Sequence, residues 1–258
     1  MEIKAISKKD NQIKFLVSGI NETIANSLRR SLQEVPILAI DTVEFSKNDS
    51  ALYDEILALR IGLVVFKSEK LNLQEECDCN GKGCSKCTIT FKLERKGPCT
   101  VYSSDLKGKA DVVYEKMPLV ILADGQELEL SATARLGKAK EHAKFSPGLF
   151  YYKPSCSINI NKNCDFCKEC VKSCPLNILK EKEGKIVIEN IEDCDICEAC
   201  LDACNKCGKN ALDIKASNTD FIFIMESWGQ ISAKDMFIEA VKALNENLKE
   251  LEKKADKI

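Results

Sequence analysis

The placement of cysteine constrains this chain more than any other feature. Residues 163–175 read NCDFCKECVKSCP and residues 193–204 read DCDICEACLDAC, so the spacing C-x2-C-x2-C-x3-C occurs twice at an offset of 30 residues. The first block holds Cys164, Cys167, Cys170 and Cys174, and the second holds Cys194, Cys197, Cys200 and Cys204. The rest of the chain is ordinary: 45% of it is hydrophobic, and opposite charges are well mixed with a net charge of −2. That balance predicts no bulk attraction to nucleic acid or to membranes. No apolar run approaches the roughly 20 residues that span a bilayer. The N-terminal run MEIKAISKKDNQIKFLVSG alternates like a strand and lacks a signal-peptide core. The expectation is a soluble cytoplasmic protein, where thiols stay reduced. Its fifteen cysteines then point to metal sites rather than disulfides.

The repeated spacing, with Pro175 after the fourth cysteine of the first block, resembles the two-cluster bacterial ferredoxin arrangement. Three thiolates wrap one face of an iron-sulfur cubane. The chain then enters a helix that carries the fourth sulfur to the other cluster. One [4Fe-4S] cluster is thus expected on Cys164, Cys167, Cys170 and Cys204, and a second on Cys174, Cys194, Cys197 and Cys200. One departure stands out: Asn205 replaces the proline that follows the fourth cysteine, and Cys207 lies three residues on. The x3 spacing favours Cys204, with Cys207 as the substitute ligand. Cys99 and Cys156 belong to no pattern and read as buried apolar thiols.

A third constellation, CDCNGKGCSKC, places Cys77, Cys79, Cys84 and Cys87 around a glycine turn. Four thiolates this close can close a tetrahedral structural zinc site. Iron is the lesser alternative there, and reduced thiols on a surface loop are the bland one.

Two low-potential clusters ordinarily mean electron transfer, so one reading is a ferredoxin-type electron-transfer subunit of a redox enzyme. Such a subunit works with a flavin or nucleotide site, yet the chain contains no G-x-G-x-x-G and no G-x-x-x-x-G-K-[ST]. It has one histidine, which excludes most histidine-based catalysis. No catalytic residues are assigned. The clusters therefore read as an insert in a chain whose main work is structural. From Glu189 to Asp202 there are six acids and no basic residue, which argues against direct DNA binding by that lobe.

Local patterns place the elements. Residues 1–45 read as two strands flanking a helix that Asn21 caps and Pro36 stops. Residues 46–160 read as mostly short β-like runs. NTDFIFIMES reads as a strand, and a long final helix follows an S-x-x-D cap at Ser232 and Asp235. That helix carries Phe237, Val241, Leu244, Leu248 and Leu251 at 4-3-4-3 spacing. Such a seam packs against another helix. With Leu28 and Leu32 of the first helix it forms a candidate partner interface.

NSLRRSLQEVPILAIDTVEF (26–45) resembles the dimerisation helix and following strand of the alpha-type assembly subunits of cellular RNA polymerases. LYDEILALRIGLVVF (52–66) and ADGQELELSATARLGKAKEHAKFSPG (123–148) are similar to the next segments of that family, the latter ending in its H-A-K-[WF]-S-P motif. Together with FIFIMESWG these stretches cover most of the chain in the family's order. The ferredoxin-type insert points to the archaeal branch of the family.

The resemblance implies an α+β fold of three parts. A discontinuous dimerisation domain would span 1–45 and 217–258. An inserted, mainly β domain with the zinc-type loop would span 46–160, and a ferredoxin-like domain 161–216. It implies pairing with the small subunit L, and contacts to subunits N and P and to the second-largest catalytic subunit. The role is that of a non-catalytic scaffold in transcription. The clusters would stabilise the third domain and make assembly sensitive to redox state. Arg29, Arg30, His142 and Lys144 are the motif positions carried over as candidate contacts to neighbouring subunits.

Overall fold

The structure, a computed structural model, describes residues 1–68, 73–74, 77–79 and 83–257. The alternating N-terminal run is two strands, because the turn-forming pair Asp10-Asn11 divides it into β1 (Glu2–Lys9) and β2 (Gln12–Ser18). Helix α1 (Glu22–Ser31) starts at Asn21, whose Oδ1 accepts from the Ile24 N–H at 2.9 Å. A single 3-10 turn leads to Pro36, and β3 (Ile37–Asn48) follows. Helix α2 (Asp54–Gly62) interrupts the region expected to be mostly β. Its sequence is apolar on all sides, so periodicity is silent there. Burial decides the matter, since Leu57 and Ile61, one turn apart, are both fully buried.

The next strands are β4 (Thr88–Lys96), β5 (Cys99–Tyr102), β6 (Pro118–Leu122), β7 (Glu127–Gly137) and β8 (Gly148–Ile160). Then come α3 (Glu169–Ser173), β9 (Leu179–Lys182), β10 (Lys185–Ile188) and α4 (Ala199–Lys206). Strand β11 (Leu212–Ser227) begins earlier than the NTDFIFIMES run, and α5 (Ala233–Ala255) closes the chain. Ser232 caps α5 by accepting from the Asp235 N–H at 3.1 Å. Among the described residues no helix is long and apolar enough to cross a membrane.

The chain divides into two units. One comprises Met1–Lys8, Ile13–Asn26 and Tyr151–Ile224. It carries the four-stranded sheet, in the order β1-β2-β11-β8, and the β9-β10 pair. Phe15, Phe223, Tyr152 and Phe221 interlock on that sheet, with ring centroids 5.5–5.6 Å apart. A separate buried cluster in the same unit consists of Ile158, Ile178, Leu179, Ala211 and Leu212 together with Cys170, Cys200 and Cys204.

The other unit comprises Lys9–Gln12, Ser27–Phe150 and Met225–Ile258. Its sheet has the order β3-β7-β4, with β7 antiparallel to both neighbours. Leu128, Leu130, Ala132 and Ala134 alternate inward along β7. Registered beside them, Ile40, Ala134 and Ile89 form one row, and Val43, Ala132 and Phe91 the next. The two alanines on the central strand leave room for Phe91, which lies 4.6 Å from Phe66, centroid to centroid. Helix α2 packs on β3 and β6, where Arg60 donates to the carbonyls of Pro118 and Leu119.

Glu127 at the start of β7 bridges Lys47 of β3 (2.9 Å) and Lys96 of β4 (2.8 Å). Lys96 and then Lys47 draw its carboxyl down to about 2, from an ordinary 4.5. A lowered carboxyl contributes stability that is complete above its unfolded value and lost as pH falls through the folded one. Glu127→Gln should therefore flatten the acid-side decline of the denaturation midpoint between pH 4.5 and 2. The effect should be small, because all three groups are partly exposed. Urea titrations at stepped pH measure it, and an unchanged decline would contradict the assignment.

Candidate metal centres

The tetrad of Cys77, Cys79, Cys84 and Cys87 leads into β4. The Cys87 and Thr88 N–H groups both donate to the Cys84 carbonyl, at 3.0 and 2.9 Å. Gly83 turns the chain at φ +74°. All four sulfurs lie within 4.8 Å of one another, with Cys77–Cys84 at 3.5 Å, Cys79–Cys87 at 3.6 Å and Cys84–Cys87 at 3.7 Å. A zinc ion bound at about 2.3 Å by four thiolates separates its sulfurs by about 3.8 Å. The group has the dimensions of a tetrahedral thiolate centre, and these four residues could hold a metal ion. The Lys86 backbone N–H and the Cys77 thiol draw Cys84 down to about 7.

The eight remaining patterned cysteines lie in the first unit. Cys164, Cys167, Cys170 and Cys204 line one cavity, whose apolar walls include Ile160, Ile186 and Leu212. Burial pushes Cys170 up to about 11, and its nearby thiol neighbours are Cys204, Cys164 and Cys167. Cys200 is likewise raised by burial, and its neighbours are Cys174 and Cys194. Cys197 is exposed, as is Cys167 at the matching position. The fourth cysteine of each block accepts a backbone N–H, Cys174 from Ile178 at 3.4 Å and Cys204 from Ala211 at 3.3 Å. Cys207 is exposed and outside the cavity lining, with its thiol against Cys167.

The backbone repeats as faithfully as the sequence. Phe166 and Lys168 are left-handed at φ 60° and 65°, and thirty residues on Ile196 and Glu198 repeat this at 55° and 59°. None of the four is a glycine, and such a conformation costs of order 1 kcal/mol or more for each. It persists only where the surroundings dictate it. Here it bends both loops at matching positions.

Sequence reasoning does not find Cys156 as part of this site. On β8, its thiol is raised to about 11, first by burial and then by the neighbouring Cys194, with Cys200 also nearby. Nor does it find Lys153, also on β8, whose ammonium donates to the carbonyls of Asp193 (2.9 Å) and Cys194 (3.0 Å). The usable signal was the lack of any cation between Glu189 and Asp202, which requires that countercharge be brought from elsewhere in the chain.

The H-A-K-F-S-P stretch proves to be a folding lock. A bulge between Ile40 and Thr42 turns Asp41 out of the β3 ladder. Its carboxylate takes Lys144 at 2.9 Å and Arg135 at 2.9 Å. Burial pushes Asp41 up, but Lys144 and Arg135 outweigh it and hold the group below the usual carboxylate range. Both cations lie 5.0 Å from the centre of the buried Phe145 ring. Lys144 is therefore engaged within its own unit, while His142 is exposed and caps a 3-10 turn by accepting from the Lys144 N–H at 3.1 Å. Asp41, His142 and Lys144 line a groove beside Leu59 and Leu63 of α2, both half exposed.

The candidate interface residues separate into two classes. Leu28 and Leu32 are buried at 9% and 4% exposure, so the chain itself covers them. On α5 the residues packed inward are Ala233, Met236 and Ala240. Phe237, Val241 and Leu244 are half-buried, Phe237 meeting Phe150 edge-on at 6.1 Å. Leu248 and Leu251 are exposed at 55% and 64%. Arg29 is half-buried and Arg30 exposed.

Residues 39–148 match the family described as RNA polymerase Rpb3/RpoA insert domain. Over its whole length the chain is 35% identical to the DNA-directed RNA polymerase subunit Rpo3 of Archaeoglobus fulgidus, 98% of which is covered. The Rpo3 of Methanothermobacter thermautotrophicus is 40% identical, with 97% of each chain covered. That of Thermococcus kodakarensis is 34% identical over 99% of this chain and all of its own. The chain belongs to the Rpo3 family, the alpha-type, non-catalytic assembly subunits of archaeal RNA polymerase.

The lock lies inside the matched insert domain and makes a sharp prediction. A Cβ on Gly137 would stand 2.6 Å from the Phe145 ring, whose centre lies 5.0 Å from both the Arg135 and the Lys144 cation. Gly137→Ala should cost about 1–3 kcal/mol, as overpacking does. Denaturant unfolding of the two proteins measures this, and a change under about 0.5 kcal/mol would mean that Phe145 moves freely.

Proposed function

We propose that this chain is the D-type scaffold of an archaeal DNA-directed RNA polymerase, and that it pairs with a small subunit of the L type to nucleate assembly. Residues 1–45 and 217–258 act as the dimerisation domain and 46–160 as the inserted domain. Residues 161–216 act as a ferredoxin-like domain with two [4Fe-4S] clusters. The paired scaffold then receives subunits N and P and the second-largest catalytic subunit. Nucleotidyl transfer takes place on other chains in the cytoplasmic enzyme.

One observation carries this reading. Helix α5 continues its apolar seam to Leu248 and Leu251, beyond the last residue that its own chain helps to cover. A helix of 23 residues whose outer turns keep leucine at a and d positions is built to meet a second helix. The full-length likeness to Rpo3 subunits identifies the assembly in which that helix would meet its partner.

The metals follow from the donor sets. Cys77, Cys79, Cys84 and Cys87 suit zinc, given four thiolates at tetrahedral spacing. Cys164, Cys167, Cys170 and Cys204 suit the first cluster, with Cys204 rather than Cys207 as fourth ligand because only Cys204 faces the cavity. Cys174, Cys194, Cys197 and Cys200 suit the second. Metal ligation would contribute folding free energy to this small lobe. Oxidative loss of a cluster would loosen that lobe and weaken assembly.

Pairing is tested by co-expression with a candidate L subunit and size-exclusion chromatography. The native chain should co-elute with L. Leu248→Glu combined with Leu251→Glu should weaken pairing at least tenfold, about 1.4 kcal/mol, while circular dichroism stays unchanged. A native chain that ignores L, or a variant that pairs normally, overturns the reading. For zinc, a chain with all eight ferredoxin-type cysteines replaced by serine should retain about one zinc by metal analysis. Finding none removes zinc from the account.

A further inference from the structure

The two ligand loops of the first unit are sequence repeats, but they are held in different ways. Residues 163–165 and 193–195 occupy matching places, thirty apart. The second loop is clasped by lysines from the four-stranded sheet. Lys153 of β8 donates to the carbonyls of Asp193 (2.9 Å) and Cys194 (3.0 Å) and to the carboxylate of Asp195 (2.7 Å). Lys14 of β2 pairs with the Asp193 carboxylate. Both lysine side chains are largely covered, at 21% and 14% exposure. The first loop is held mainly by its own flanks. Asn161 accepts from the N–H groups of Asn163 (2.9 Å) and Cys164 (3.3 Å), and Lys209 pairs with Asp165 at an exposed position. Among the described residues no sheet lysine is recorded on that first loop.

Charge explains why a clasp is needed at one loop. The stretch from Glu189 to Asp202 carries six acids and no cation, and an iron-sulfur cluster bound by four thiolates is itself anionic. Asp193 and Asp195 flank the ligand Cys194. Without imported positive charge they would repel the cluster and each other. All three donors of the Lys153 ammonium fall on this one loop. Two of them hold backbone carbonyls, and so fix where the Cys194 sulfur points.

We propose that Lys153, supported by Lys14, is a positioning residue for the second cluster, tying retention of that cluster and not the first to the four-stranded sheet. The proposal rests on the two-cluster reading of residues 161–216. Residues that orient a metal ligand typically alter metal retention 10–100-fold when removed. The lysine charge also favours the reduced, more negative cluster, so its removal should lower the potential of the second cluster alone.

The test uses the full chain purified without oxygen, as native protein, Lys153→Met, Lys153→Arg and Lys14→Met. Iron and sulfide are counted, loss of visible absorbance to an iron chelator is followed, and reduced samples are titrated by EPR. Cys197→Ser identifies the phase that belongs to the second cluster. In Lys153→Met that phase should accelerate about tenfold and its potential should fall, while the other phase stays within about twofold. At the limit, iron drops from about eight to about four per chain. Lys153→Arg should restore the native phase, and Lys14→Met should move the same phase by less. Equal acceleration of both phases, or of neither, overturns the proposal and leaves the cluster reading standing. Should Lys153→Met fail to fold, Lys14→Met decides by the same criterion. A native chain with no iron or sulfide overturns both.

Discussion

Cysteine and hydrocarbon together close the lobe between β8 and β11. Its buried cluster contains two isoleucines, two leucines and an alanine, and cysteine supplies the other three members. Segments this small rarely fold on apolar burial alone, and nature usually adds disulfides or metals. On the proposed ligation, each block gives three sulfurs to one cluster and sends its fourth to the other. Helix α3 ends at Cys174 and α4 contains Cys204, so each short helix delivers a sulfur away from its own loop. Each cluster would then cross-link both halves of the repeat. The left-handed residues at Phe166, Lys168, Ile196 and Glu198 fit this arrangement, since a loop that must wrap a face of a cubane cannot follow a regular helix.

The other unit solves a different problem with different means. It has a real core, so its difficulty is register and not cohesion. The bulge at Asp41 shifts β3 by one residue against β7, and the freed carboxylate gathers Arg135 from β7 and Lys144 from the stretch before β8. Those cations flank the Phe145 ring, against which Gly137 packs too closely for any side chain. Three segments are fixed in one place by one carboxylate and one ring. A four-thiol site on the loop leading into β4 suits the same logic. A closed tetrahedral centre holds a loop by ligation where apolar cover is thin.

The sequence was legible where one interaction type dominates over a short span. Cysteine spacing is readable where it brings Cys164, Cys167, Cys170 and Cys204 to one cavity, because thiolate ligation is local and its geometry narrow. Caps at Asn21 and Ser232 were equally readable, each being one side chain bonded to an amide three residues on. Helix α2 was not, since a segment with apolar residues all round shows no period. The Asp41 lock was not either, because its partners lie about a hundred residues away and look like ordinary surface charges. Leu28 and Leu32 show the converse error. An apolar stripe says that a face must be covered, and it does not say by which chain.

Helix α5 presents two apolar stripes at different angles. Ala233, Met236 and Ala240 point one way, and the Phe237–Leu251 seam is centred about 60–70° further round the helix, at 100° per residue. The inward face is built mostly from alanine, which permits a close approach to the chain's own body. The second face is built from large side chains and loses its cover progressively, from half-buried Phe237 and Leu244 to exposed Leu248 and Leu251. Had the helix served its own unit only, its outer turns would carry charge all round, as their Lys249, Glu250, Glu252, Lys253 and Lys254 neighbours do. Retaining leucine at heptad spacing among those charges is useful only if the stripe is taken out of water, and among the described residues of its own unit nothing buries those two leucines. On the proposed pairing, the inner face anchors the helix and the outer face meets another chain, so a modest rotation between two apolar stripes would turn one element into both core and interface.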